Sequence, residues 1–493
     1  MKLLGLRLCE HDSNFSYFDG NTLHYFKSER STQIKHHAYN NLTEWQSVIK
    51  KLWNVSHTDI DEIAIVVDPW LHDLPTDNEE FFPTTNFNPI SNFVRINHHY
   101  AHALSSWMLT DSASMHIVID GFGDLDQSWT IIKNNQILKK GSVRINGSLG
   151  VEMAKAAKVL GIKADHESDL AGKLMGLQSY GTIDQEFLKK LQEFNFYNIN
   201  KIFDQKIWYA HRPNRIMSNQ DLLDWIKTVH IRVGEVLVDF FKEHCITDDV
   251  ITYSGGVAQN VIWNTELKKH FPNLIIPPHC ADEGLSLGAI EWLRIKHNLA
   301  KFNLKDFPFI QSDEAPDTPT DDTIKKAAKL LADGKIIGWY QGHGEIGPRA
   351  LGNRSVLMDP RIADGKNLIN QVKKRETYRP FGASVLAEYA SQQFDSTYSD
   401  EFMLYVADVT DANLSAITHI DNTCRLQVVS NNNLNFKKLL EEFYALTKCP
   451  VILNTSLNIA GKPIAGNIAD VQNFFKNSNL DAIIIGNTIE VKL

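Results

Sequence analysis

MHIVIDGFGDLDQSWTIIKNNQILKK, residues 115–140, reads as a strand, a turn carrying Asp120 and Asp124, a second strand, an Asn-Asn turn and a third strand. LLGLRLCEHDSNFSYFDGNTLHYF, residues 3–26, repeats that order: strand, polar turn with Asp12, strand, Asp-Gly-Asn turn, strand. β-Branched and aromatic runs between turn residues are what half-buried strands need. Helical stretches follow each meander. The echo predicts a duplicated α/β unit, and a chance repeat of two hairpins is the other reading.

Sugar kinases and actin-like ATPases are built on such a duplication, with ligands in the cleft between the halves. The rest of the chain agrees with a large soluble enzyme. Its 493 residues allow two to four domains with their own cores. A formal net charge of −9 argues against a general nucleic-acid binder but leaves room for a local basic pocket. The cysteines (Cys9, Cys245, Cys280, Cys424, Cys449) are scattered without a CxxC pair, as reduced thiols of a cytoplasmic protein would be. MKLLGLRLCEHD is broken by Arg7 and reads as a first strand rather than a signal peptide. No run approaches the ~20 apolar residues of a membrane span.

QSDEAPDTPTDD, residues 311–322, holds acids, prolines and threonines without a large apolar residue, and reads as a linker or long surface loop. It divides the chain into domains at 1–310 and 323–493. The second domain opens with TDDTIKKAAKLLADG, a helix capped by Asp321 or Asp322 and ended at Gly334. Strands and helices then alternate, which is α/β or α+β.

Six stretches can carry chemistry. In INHHYAHALSSWML, His98 and His102 are one helical turn apart and share a face, where two imidazoles can bind one divalent metal; His99 points elsewhere. Surface histidines are the plainer reading. In VIDGFGDLD, Asp120 ends a strand where carboxylates commonly meet metals or ligands, whereas Asp124 and Asp126 read as turn chemistry. In DVITYSGGVAQN, a strand runs into Ser254, Gly255 and Gly256, a turn that can aim backbone N–H groups at an anion. In CADEGLSLGA, Asp282 and Glu283 either complement a helix dipole, or Asp282 completes a two-histidine, one-carboxylate site suited to iron(II) or a similar metal. GHGEIGPRALGNRSVLMDPR, residues 342–361, brings Arg349, Arg354 and Arg361. KKRETYRPFGASVL adds Lys373, Lys374, Arg375 and Arg379, and Arg425 follows. Charge runs are usually solvated faces. These cations alternate with glycine, proline and apolar residues, and predict a partly enclosed pocket for phosphate esters. ILNTSLNIAGKPIAG ends a strand in Asn454, Thr455, Ser456 and Asn458, which alone would be a polar turn.

Together these motifs resemble the antibiotic and nodulation-factor O-carbamoyltransferases. HHYAHA, DGFGD, KLMGLQSYG, YSGGVAQN, ADEGLSLGA, GHGEIGPRALGNRS, RETYRPFGASVL, IDNTCRLQ and LNTSLN stand in that family's order, and HDSN with SERSTQIKHH fits its beginning. The resemblance implies a duplicated actin-like ATPase (ASKHA, ribonuclease H-like) N-terminal lobe, similar to tRNA threonylcarbamoyl-transferases, plus a YrdC-like α/β C-terminal lobe. It implies that carbamoyl phosphate and ATP form carbamoyladenylate in the second lobe. The carbamoyl group then passes to a hydroxyl of a small-molecule acceptor in the first. Arg349, Lys374, Arg379 and Arg425, with Arg354, Asn454 and Ser456, are implied for carbamoyl phosphate and ATP. Arg349 and Lys374 are the catalytic cations. Ser254, Gly255 and Gly256 would cradle nucleotide. His98, His102 and Asp282, with Asp120, match the family's metal ligands. His11 is the candidate general base. The implied cofactors are ATP, Mg²⁺ and Fe²⁺ or another divalent transition metal. No membrane or nucleic-acid partner is expected, and a homodimer is allowed.

The chain departs from the family pattern at His343 (usually arginine), Leu457 (phenylalanine), Ala460 (arginine in some members), Lys462 (glutamate), Asn422 (glycine) and Gln259 (leucine). Most lie in the second lobe and bear on its substrate pocket. The rival readings are a tRNA threonylcarbamoyl-type enzyme, a small-molecule kinase making ADP, and a non-catalytic ATP-binding regulator.

Overall fold

The computed structural model describes residues 1–39, 44–67, 93–110, 113–134, 136–213, 218–395 and 400–492. Asn135 of the expected Asn-Asn turn lies outside them. Two five-stranded sheets and one nine-stranded sheet organise the described residues.

The first sheet holds β1 (Leu3–Arg7), β2 (Asn14–Phe18), β3 (Leu23–Lys27), β4 (Glu62–Val66) and β5 (Phe93–Arg95), in the order β3-β2-β1-β4-β5. The second holds β6 (Met115–Gly123), β7 (Gln127–Lys133), β8 (Gln136–Ser142), β9 (Ile251–Ser254) and β10 (Leu274–Ile275), in the order β10-β9-β6-β7-β8. Read outward from β1 and from β6, the two orders are the same. Each central strand pairs antiparallel with the strand after it and parallel with the fourth of its set, which is parallel to the fifth. The echo between residues 3–26 and 115–140 is therefore a true structural duplication. Strands buried on both faces explain why LLGLR is apolar throughout except for Arg7.

The third sheet has β11 (Ile337–Tyr340), β12 (Arg354–Met358), β13 (Gly382–Leu386), β14 (Phe394–Asp395), β15 (Val406–Val409), β16 (Thr423–Val429), β17 (Val451–Ser456), β18 (Ala482–Ile485) and β19 (Thr488–Val491). Its order is β14-β15-β16-β13-β17-β12-β11-β18-β19, with mixed pairing. The helices Asp321–Ala332 and Leu434–Thr447 contribute Ile324, Leu331, Phe436 and Phe443 to the same core. Thr320 caps the first of these helices: its hydroxyl accepts from Thr323 N–H, and neither Asp321 nor Asp322 is the cap.

The chain forms two compact units. One comprises Met1–Glu10, Asn14–Asn21 and Tyr39–Phe302; the other comprises His11–Ser13, Thr22–Ala38 and Asn303–Leu493. Residues 311–322 are not a free linker. Gln311 is buried and accepts from Lys27 N–H, and the side chain of Asp313, 3% exposed, pairs with Arg354 at 3.0 Å. Among the described residues no helix is long and apolar enough to cross a membrane.

Candidate active-site clusters

In the first unit, Asn97 caps the helix His98–Trp107 by accepting from Tyr100 N–H at 3.1 Å. That cap starts the helix at His98 and sets His98 and His102 on one face. Asp120 lies on β6, and Asp282 enters the helix Leu285–Lys296. A Cβ on Gly288 would lie 1.9 Å from the Ala101 carbonyl, so only glycine lets these two helices cross this closely and bring Asp282 over the imidazoles.

Four ligand atoms converge. His98 Nε2 is 3.1 Å from His102 Nε2, 3.0 Å from Asp120 Oδ2 and 3.4 Å from Asp282 Oδ1. His102 Nε2 is 3.3 Å from Asp120 Oδ2 and 3.5 Å from Asp282 Oδ1. Ligands about 2.0–2.1 Å from a first-row transition metal stand about 3.3 Å apart in a tetrahedron. The spacings here match that edge, and two imidazoles with two carboxylates suit such an ion. Burial alone would lower His98, but Asp282 and then Asp120 outweigh it and raise it to about 10. Burial would raise Asp120, but His102 and His98 hold it well below the carboxylate range.

Each carboxylate is aimed by a second partner. Arg7, fully buried, donates to Asp282 Oδ2 at 3.2 Å and to Glu10 at 2.7 Å. Gly256 N–H donates to Asp120 Oδ1 at 2.8 Å. Gly255 N–H goes to the Cys280 carbonyl at 2.7 Å, and Ser254 Oγ to the His102 carbonyl at 3.1 Å. The structure thus spends these groups on holding the carboxylate and the helix, and they do not stand open as a nucleotide cradle. His99 turns to Thr130 at 2.8 Å, and Asp124 pairs with Arg95 at 2.8 Å, both scaffold contacts.

In the second unit the cations gather. Arg425, opposite Gly382 across β16 and β13, is held well below its usual range by burial and then by Arg349 and Arg375, with Arg379 adding to them. Lys373 is lowered well below its usual range by burial, then Arg375, Arg379 and Lys35. Arg375 is lowered to about 9 by burial and Arg379. Among the described residues Lys373, Arg375 and Arg425 make no ion pair, and Arg379 stands 3.8 Å from Glu376. Like charges packed together without counter-ions raise the energy of the ligand-free state and favour an arriving anion.

The lysine in this cluster is Lys373. It is buried and donates to the carbonyl and hydroxyl of Ser456 and to Asn458. Lys374 is exposed and ends the helix Gly365–Lys373 in a left-handed conformation at φ 50°. Helix phase carries the signal: Lys373 is four residues after buried Ile369.

Arg354 is scaffold. It is fully buried, stacks on Tyr340 at 3.7 Å, pairs with Asp313, and donates to the carbonyls of Gln341, Gly342 and Glu314. Buried Glu345 accepts from the N–H groups of Leu351, Asn353 and Arg354 and so shapes the loop that carries Arg349. Asn454 is buried and donates to Ser384 at 3.0 Å and to Ala350 O at 3.4 Å, fixing the same loop from β17. Arg30 donates to Glu345 O and Gly347 O. Motif reading passed over Glu345 and Arg30, because each acts on backbone that only the fold brings to it.

His11 belongs to the second unit. Its Nδ1 is 3.0 Å from Asp12 Oδ2, which is also 2.8 Å from His36 Nδ1.

Two family models match the chain: the carbamoyltransferase N-terminus over residues 84–290 and the carbamoyltransferase C-terminus over residues 328–492. The nodulation protein NolO of Bradyrhizobium diazoefficiens is 31% identical over 432 residues, covering 79% of this chain and 78% of its own. The nodulation protein NolNO of Sinorhizobium fredii is 31% identical over 434 residues, and the chain spans 63% of its length. The 3'-hydroxymethylcephem-O-carbamoyltransferase of Streptomyces clavuligerus is 31% identical over 270 residues, 52% of this chain and 51% of its own.

Proposed function

The chain belongs to the carbamoyltransferase family, and from that premise we propose that it is an O-carbamoyltransferase that makes carbamoyladenylate and passes its carbamoyl group to an acceptor hydroxyl. Water splits carbamoyl phosphate into carbamate and phosphate. The carbamate oxygen attacks the α-phosphate of ATP and pyrophosphate leaves. The acceptor oxygen then attacks the carbamoyl carbon and AMP leaves.

The observation that carries this reading is the cluster of Arg349, Lys373, Arg375, Arg379 and Arg425, in which Lys373, Arg375 and Arg425 have no carboxylate partner among the described residues. Two polyanionic reactants need such a set, and carbamate, short-lived in water, needs it enclosed. Lys373 and Arg425 offset the charge of carbamate and phosphate. Arg349 serves the same anions from a loop fixed by Glu345 and Asn454. The YrdC-like domain at 323–493 would perform the adenylation, and the actin-like domain at 1–310 the transfer.

His98, His102, Asp120 and Asp282 would hold a divalent transition metal, iron(II) by resemblance. Such an ion supplies Lewis acidity toward a phosphate or carbonyl oxygen. Arg7 and Gly256 N–H orient the two carboxylates, and ATP enters with Mg²⁺. His11 would take the acceptor's proton. The acceptor is a small hydroxyl compound, and the 3'-hydroxymethylcephem in the name of the cephem enzymes offers one chemical example.

The test is to incubate the protein with ATP, Mg²⁺ and carbamoyl phosphate, without acceptor, and follow the nucleotides by chromatography. AMP or carbamoylated AMP with pyrophosphate, dependent on carbamoyl phosphate and lost in Arg349→Ala, is the expected result. ADP would make the chain a kinase, and no turnover would remove the proposed chemistry.

A further inference from the structure

His11, Asp12, Lys27, Glu29 and His36 form a polar network in the second unit. Lys27 Nζ lies 3.1 Å from Asp12 Oδ1 and 3.1 Å from Glu29 Oε1. Glu29 Oε2 accepts from His36 N–H at 3.0 Å. Asp12 Oδ2 faces two imidazoles through the same ring atom, His11 Nδ1 at 3.0 Å and His36 Nδ1 at 2.8 Å. The loop that carries the pair is held under strain: Cys9, Glu10 and Asp12 all have φ between 55° and 66°, which non-glycine residues rarely adopt. Lys27 sits between the two carboxylates as their built-in counter-ion.

We propose that Asp12 is the positioning residue of His11, fixing its proton on Nδ1 so that Nε2 carries the lone pair that accepts the acceptor's proton. This rests on the reading of His11 as general base. A carboxylate that is ionised can only accept, so both imidazoles facing Asp12 Oδ2 must donate from Nδ1. Burial would raise Asp12, yet Lys27 and then the two histidines outweigh it and hold the carboxyl well below its usual range. Glu29 is likewise lowered against burial by Lys27, with Arg30 a further positive neighbour. Only one of the two imidazoles is well placed for substrate. The His11 side chain is 33% exposed and that of His36 is 13% exposed.

The step balances. The acceptor O–H bond breaks as its oxygen bonds to the carbamoyl carbon, and the proton goes to His11 Nε2. The bond between that carbon and the AMP oxygen breaks, and AMP takes the electron pair. His11 then releases its proton to water.

The test uses the full-length protein labelled in its histidines with ¹³C and ¹⁵N, with the His11 resonances assigned by their loss in His11→Gln. The expected result is a neutral His11 protonated on Nδ1 in the wild type. In Asp12→Asn the proton should move to Nε2 and the His11 pKa should fall by about one to two units. A wild-type His11 protonated on Nε2 overturns the inference without any variant having to fold. An unchanged tautomer in Asp12→Asn overturns it too. A wild type that makes no AMP from ATP and carbamoyl phosphate would remove the proposed reaction while leaving the tautomer result standing. AMP formation with the wrong tautomer would remove the positioning role alone.

Discussion

Replacing Arg425 with methionine should make the ligand-free protein more stable and deaf to anions. The cations that act on it most strongly are Arg349 and Arg375, and among the described residues it has no ion-pair partner. Removing one unpaired cation from such a group should gain about 1–3 kcal/mol, since apolar replacements of buried charges are often stabilising by that much. At ~2–4 °C per kcal/mol for a unit of this size, the apparent Tm should rise by roughly 2–12 °C. The wild type should recover the difference when an anion arrives. Pyrophosphate at about 100 times its Kd adds about 2.7 kcal/mol, or roughly 5–11 °C. Thermal melts of both proteins with and without pyrophosphate, repeated in high salt, measure all four quantities. The reasoning is refuted if Arg425→Met melts below the wild type without anion and still shows the full pyrophosphate shift.

Other outcomes are as specific. Lys373→Met should lower AMP formation about 10²–10³-fold, as loss of a group meeting developing charge does, whereas Lys374→Met should leave it within about twofold. His98→Ala should abolish stoichiometric binding of a divalent transition metal in a metal analysis of the dialysed protein, and Arg7→Met should weaken that binding about 10–100-fold. Asp184 is lowered to about 2, against burial, by the Phe187 N–H, Arg212 and His211. A lowered carboxyl contributes stability above its unfolded pKa of about 3.9 and loses it as pH falls toward the folded value. The urea midpoint of Asp184→Asn should therefore lie below the wild type's at pH 7, and the gap should close between about pH 4 and pH 2.

The duplicated sheets were legible because strand, Asp turn, strand is a local pattern and the chain prints it twice. His98 and His102 were legible for the same reason: helical spacing fixes a shared face without any knowledge of the fold. Asp282 and Asp120 were legible only as candidates, a carboxylate at a helix start and one at a strand end, since nothing in their spacing shows that the fold brings them to the imidazoles. Arg354 looked like a ligand because its motif is rich in arginine; its commitment to Asp313, Tyr340 and three carbonyls is a product of tertiary burial that no spacing reveals. Lys373 and Lys374 are adjacent and chemically identical, and only the helix end separates them. Gln311 and Asp313 looked like linker residues because a buried polar side chain is indistinguishable in sequence from a solvated one until its partner is known.

The N-terminal segment at His11–Ser13 and Thr22–Ala38 belongs to the same compact unit as Asn303–Leu493. Arg30 grips the backbone at Glu345 and Gly347, and Lys462 reaches the Gln33 carbonyl at 3.3 Å. A gene cut between the two halves would therefore not cut between the two bodies. A fragment starting at Asn303 would be missing the support of its own arginine loop. During synthesis that support is made first and must wait for almost the entire chain before it finds the loop it holds. Domain shuffling at the obvious boundary is closed to this architecture: the halves can be inherited only together, or exchanged only with the first forty residues carried along.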